Sequence, residues 1–126
     1  MRYYFSYGRC AQEVYLRDAL RDVGIVDVEF TGVGYLQDYS VQKLPGWLRQ
    51  YDIHSTLVTS PGDIVRGFVV KIPVYYEIAV NIWKRYPIFR EKMTVEINSK
   101  QEILSCVTYK LAPRLADTLE EIGKDI

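Results

Sequence analysis

Residues 1–7 form an aromatic run that ends at Gly8, the pattern of a buried strand, centred on 3–7, closed by a glycine turn. Over 11–23, apolar residues at Val14, Tyr15, Ala19, Leu20 and Val23 have the spacing of an amphipathic helix, and Gly24 suits its end. Val26, Val28 and Phe30 then alternate with Asp27, Glu29 and Thr31, the period-two signature of a half-exposed strand. Gly32 and Gly34 break or bulge that strand, and 36–44 continues it or returns as its hairpin partner. Pro45 and Gly46 predict a turn, 47–52 a loop, and 54–59 a short strand. Ser60, Pro61, Gly62 and Asp63 predict a type II turn, because Pro presets one central φ and Gly accepts the positive one. A β-branched strand over 64–72 follows, interrupted by Gly67.

Pro73 opens a helix over 74–84 with Tyr75, Ile78 and Ile82 or Trp83 on one face, and Pro87 stops it. Strands at 89–97 and 103–111 read as a hairpin turning at Asn98 and Ser99. Pro113 opens a last helix that buries Leu115, Leu119 and Ile122 and ends at Gly123. This order lacks the regular strand–helix alternation of a parallel α/β sheet. It predicts a single α+β domain over 1–126, built as a small mixed β-barrel or strongly curved sheet with flanking helices.

Composition narrows the function classes. Sixteen basic and sixteen acidic residues cancel, which argues against nucleic acid or a membrane surface as partner but leaves room for a local basic site. No apolar run is long enough to span a bilayer, and the N-terminus has no signal-peptide core, so a cytoplasmic protein is expected. Cys10 and Cys106 have no metal-ligand spacing and are expected as free thiols; no metal and no cofactor are expected. The single His54 has no partner in the sequence and receives no role. Eleven tyrosines fit strand content first, with a ring-lined pocket as the sharper reading. A Tyr-Gly turn between strand and helix lets a ligand approach the backbone closely, though one such glycine is common in folds that bind nothing.

The chain resembles the gamma-glutamylcyclotransferase-like (AIG2-like) family in element order and turn residues over nearly its whole length. That family opens with a strand and a Tyr-Gly-Ser-Leu turn, where this chain has Tyr7, Gly8, Arg9 and Cys10. Its Gly-x-Ala-x-Leu segment corresponds to Gly32, Val33, Gly34, Tyr35 and Leu36. Its Pro-Gly-Asp turn and glycine-bearing strand correspond to Pro61, Gly62, Asp63 and Gly67. The start of its Tyr-x-Arg strand corresponds to Phe89 and Arg90. The resemblance implies a small barrel with a central cavity and intramolecular attack of an α-amine on a γ-glutamyl amide, releasing 5-oxoproline. A carboxylate on the family's helix, in a Leu-Asp-x-x-Glu-Gly pattern, carries the proton.

Two positions depart from that pattern. With Pro87 and Arg90 fixing the register, Val80, Asn81, Ile82, Trp83, Lys84 and Arg85 occupy the helix pattern, so Lys84 stands at the Glu and Arg9 at the Ser. No residue from Ile78 to Arg90 is acidic. Glu77, about 10 Å upstream by helix rise, is the nearest candidate for a catalytic acid, and Glu91 points to the other face of its strand. Arg9, Lys84 and Arg90 instead predict a pocket for a small anionic metabolite or nucleotide-like ligand, walled by Tyr7, Gly8, Arg9, Cys10, Lys84 and Arg90. The alternative is an active cyclotransferase using Glu77 or another distant acid. A third reading makes the Trp83, Tyr86 and Phe89 cluster an exposed interaction patch.

Overall fold

The structure, a computed structural model, describes residues 1–124, with side chains through 118. The strands are β1 (Arg2–Ser6), β2 (Glu29–Lys43), β3 (Ser55–Ile72), β4 (Arg90–Ser99) and β5 (Glu102–Leu111). The helices are α1 (Glu13–Asp22), α2 (Glu77–Trp83) and α3 (Pro113–Lys124). The five strands close into a barrel in the order β1-β3-β2-β4-β5. It is a mixed barrel: β1 is antiparallel to β3 and parallel to β5, while β2 runs antiparallel to both β3 and β4.

Strand alternation sorts the core into two layers. Phe5, Leu36, Leu57, Val65, Val69, Val95, Ile97 and Cys106, drawn from all five strands, fill the barrel interior. Burial there pushes the Cys106 thiol up to about 11. On the outer face of β1, β3 and β5, Tyr4, Phe68, Val70, Ile72 and Tyr109 pack against Leu16 and Leu20 of α1 and Val80 of α2. The expected central cavity is therefore not inside the barrel, because side chains occupy that space.

The helix faces differ from expectation. On α1, Leu16 and Leu20 are the buried pair, while Val14 and Tyr15 are exposed. On α2 the inward residues are Ala79, Val80 and Trp83, with Tyr76 from the 3₁₀ turn Val74–Tyr76 before it. Tyr75, Ile78 and Ile82 face outward, with Ile78 75% exposed. Apolar residues surround this short helix, so periodicity alone cannot choose its buried side. Of the expected aromatic patch, Trp83 packs on the α1 layer and Phe89 stacks on Tyr51 at 4.8 Å, leaving Tyr86 partly exposed.

Several turn residues sit inside strands. The alternation read at 26–31 becomes strand only from Glu29, because Asp27 takes a left-handed φ of 59°. A bulge does fall between Phe30 and Gly32, and a second occurs at Asp38. Ser60–Asp63 does not reverse the chain: it is an outward excursion within β3, held where the Gly62 N–H donates to Asp38 Oδ1 at 2.9 Å. The β4–β5 hairpin turns at Lys100 and Gln101, both at positive φ, and not at Asn98 and Ser99. Ser99 stays in the strand because its hydroxyl donates to the Val33 carbonyl at 2.9 Å. Residues 47–52 lie largely in the 3₁₀ turn Gly46–Tyr51, anchored by fully buried Leu48. Leu115 packs partly against Leu48, Ile53 and Leu111; the expected packing of Leu119 and Ile122 lies outside the described side chains. The last helix continues through Gly123 to Lys124. None of the described helices is long and apolar enough to cross a membrane.

Candidate functional site

At the end of the barrel where β1 and β5 finish and β4 begins, a cavity of about 440 Å³ opens beneath α1. The turn after β1 builds one wall. Tyr7 continues extended, with φ −126° and ψ 176°, and its hydroxyl donates to the Tyr109 carbonyl. Burial raises the Tyr7 pKa, against the attraction of nearby Arg90. Gly8 then turns the chain at φ +66°, where an added Cβ would come within 2.6 Å of Ser55 Oγ. Glycine is favoured here by the left-handed φ, and a Cβ would also make the Ser55 hydroxyl swing aside. The turn Gly8–Ala11 is 3₁₀, and α1 begins only at Glu13, so no α-helix start lies directly at the glycine.

Tyr7, Arg9, Cys10, Lys84 and Arg90 all line this cavity; Gly8 supplies the bend between them. Glu77 is elsewhere. Its carboxylate accepts from Arg2 Nη1 at 3.1 Å and Lys92 Nζ at 3.3 Å, which hold it below the usual carboxylate range. This carboxylate, committed to two cations, is not among the residues that line the cavity.

Of the residues that line the cavity, Lys84 is the most perturbed. Its Nζ sits 4.0 Å from the centroid of the Trp83 ring. Among the described residues it has no ion-pair partner. Burial foremost, then the Arg90 charge, lower its pKa to about 8, opposed by Cys10 and Asp52. Arg9, too, has no ion pair among the described residues and lies 5.7 Å over the Tyr15 ring.

The lining also holds three carboxylates and a histidine that were not foreseen: Asp18 and Asp22 on α1, and Asp52 and His54 on the connector into β3. His54 Nε2 lies 3.0 Å from Asp52 Oδ1, so the lone histidine does have a partner. The site is consequently bipolar, with three basic side chains and three carboxylates, and not uniformly basic. Asp18 and Asp22 belong to the polar face of an amphipathic helix, which in sequence reads as solvated; only the docking of α1 across the cavity gives them a site. Among the described residues, no group of three His, Cys, Asp or Glu could hold a metal ion.

The α2 terminus places Lys84. The Tyr86 N–H donates to Asn81 O and the Arg85 N–H to Ile82 O, closing the helix with Arg85 at φ +59°. Arg85→Gly is expected to stabilise the protein by about 1 kcal/mol in urea unfolding, because the left-handed conformation costs a residue with a Cβ about that much. The exposed Arg85 Nε bond to Tyr51 O, at 3.3 Å, offsets little.

A closed five-stranded mixed barrel with flanking helices and a Tyr-Gly turn beside an end cavity is the gamma-glutamyl cyclotransferase-like fold. The sequence matches no protein family model and no curated protein. Solved structures do match. One is uncharacterized protein loc79017 from Homo sapiens, with TM-score 0.71 and 18% identity over 88% of this chain and 66% of that one. Another is a gamma-glutamyl cyclotransferase, with TM-score 0.68 and 21% identity over 88% of this chain and 66% of that one. A third is YkqA from Bacillus subtilis, with TM-score 0.66 and 18% identity over 87% of this chain and 40% of that one. The present chain thus spans slightly less than two thirds of the first two and well under half of the third. At these identities the likeness is one of fold.

Proposed function

We propose that this protein binds a small anionic metabolite or nucleotide-like ligand in the end cavity, without proton transfer by a helix glutamate. The observation that carries the reading is the convergence of Arg9, Lys84 and Arg90 on one cavity, where Arg9 and Lys84 rest against aromatic rings and none has a carboxylate partner among the described residues. Leaving a desolvated ammonium beside a guanidinium is unfavourable to the fold, and an anion relieves it. Asp18, Asp22 and Asp52 favour an anion that also carries a hydrogen-bond donor or an amino group.

Isothermal titration with inorganic phosphate, nucleoside monophosphates and dicarboxylates tests this. Saturable binding is expected for at least one class, weakened about tenfold or more in Arg9→Ala and Lys84→Ala. Affinity is expected to fall as pH rises from 7 to 9, because Lys84 loses its proton around pH 8. Equal binding by wild type and both variants would remove the basis of the proposal.

Cyclotransfer is the second reading, favoured by one observation: Asp18, Asp22 and Asp52 bring carboxylates to the cavity that α2 does not. Release of 5-oxoproline from any member of a γ-glutamyl amine and dipeptide panel would establish it.

A further inference from the structure

Lys84 combines three features that bear on reactivity as well as on anion binding. Its amine is desolvated against the Trp83 ring, has no hydrogen-bond acceptor among the described residues, and faces a cavity large enough for a small ligand. A lysine made less basic by burial and a neighbouring cation is the usual form of a nucleophilic amine. The groups around it are Arg90 on β4, Cys10 and Arg9 on the 3₁₀ turn, Asp52 and His54 on the connector, and Asp18 and Asp22 on α1. Two are guanidinium groups suited to an anionic substituent, and one pair, His54 with Asp52, can give and take a proton.

We propose that Lys84 is a nucleophilic amine and that the cavity captures small carbonyl compounds bearing an anionic group, such as aldehyde phosphates or 2-oxo acids, as imines. This rests on the anion-binding reading, since Arg9 and Arg90 would hold the anionic group. The neutral Lys84 amine adds its lone pair to the carbonyl carbon. The carbonyl oxygen gains a proton and the nitrogen gives one up, forming a carbinolamine. Its hydroxyl takes up one proton from solvent and leaves as water, while a carbon–nitrogen double bond forms that carries the nitrogen's remaining proton and a positive charge. One water is released per imine, and nothing is oxidised or reduced. The protonated imine keeps the positive charge that the anion faces.

Pyridoxal 5′-phosphate with borohydride reduction at pH 7.5, followed by peptide mass mapping, is the test. Lys84 holds a neutral fraction about two orders of magnitude above that of an ordinary lysine at this pH. Its labelling is therefore expected to be about 10–100-fold faster than that of exposed Lys100, absent in Lys84→Met, and slowed several-fold in Arg90→Ala. Pyridoxine 5′-phosphate, which has the phosphate but no aldehyde, separates the two readings in titration. Its binding together with Lys84 labelling no faster than at Lys100 would overturn the imine and leave anion binding standing. Absence of both binding and labelling would overturn both.

Discussion

Lys84→Met is expected to raise the melting temperature at pH 7 and to weaken anion binding about tenfold or more. Wild-type Lys84 has a folded-state pKa of about 8, well below its ordinary 10.5. Its proton is thus held more weakly in the folded chain than in the unfolded one. That cost is fully present below about pH 8 and disappears as pH rises toward 10.5, so wild-type stability gains across this window. Methionine keeps the packing volume and removes the charge, at the loss of a cation–π contact with Trp83. The net gain at pH 7 is expected to be about 1–2 kcal/mol, or roughly 3–8 °C, shrinking toward zero by pH 10.5. Thermal scans of both proteins at pH 7, 9 and 10.5 check it. A variant less stable than wild type at pH 7 would show that Lys84 is a structural group. Gain in stability with loss of binding is the behaviour of a side chain kept for a ligand.

Gly67→Ala is expected to be the most damaging single methyl addition in the barrel. Gly67 pairs with Gly34 across β3 and β2. A Cβ at Gly67 would lie 2.5 Å from Phe5 Cζ and would also meet the Ser6 carbonyl, which is backbone and cannot swing away. At Gly34 the same atom would lie 2.5 Å from Ile97 Cγ2. These two glycines are flat places over which Phe5 and Ile97 fill the interior. Overpacking there is expected to cost about 2–3 kcal/mol, a fall in melting temperature of roughly 10 °C. Gly46→Ala is the control, because nothing lies within 4 Å of its added Cβ. A Gly67→Ala protein as stable as the control would mean that β1 and β3 shift apart easily.

The same two glycines show what a sequence can and cannot reveal. Read locally, Gly34 and Gly67 interrupt strands, because glycine weakens strand propensity. In the barrel they keep β2 and β3 continuous and closely packed. Strand existence and order were legible, since period-two alternation and turn residues are local signals. Helix faces were not: Tyr75, Ile78 and Ile82 compete with Tyr76, Ala79, Val80 and Trp83 at equal hydrophobicity, and only the strand layer beneath α2 decides. The convergence of Tyr7, Arg9, Cys10, Lys84 and Arg90 could be anticipated from resemblance and register, but not from spacing, because the residues come from three separate segments. Asp18, Asp22 and the Asp52–His54 pair were invisible for a related reason. Each reads as solvated until the docking of α1 and the left-handed φ of Asp52 bring it to the cavity.

The central claim is that the end cavity is an anion site. It is tested most directly by a crystal structure of the protein grown with a nucleoside monophosphate. The account predicts phosphate oxygens within hydrogen-bond distance of Arg9, Lys84 and Arg90. The nucleotide seated instead in the second cleft, between Lys43, Lys110 and the start of α3, with only water beside Lys84, would contradict it.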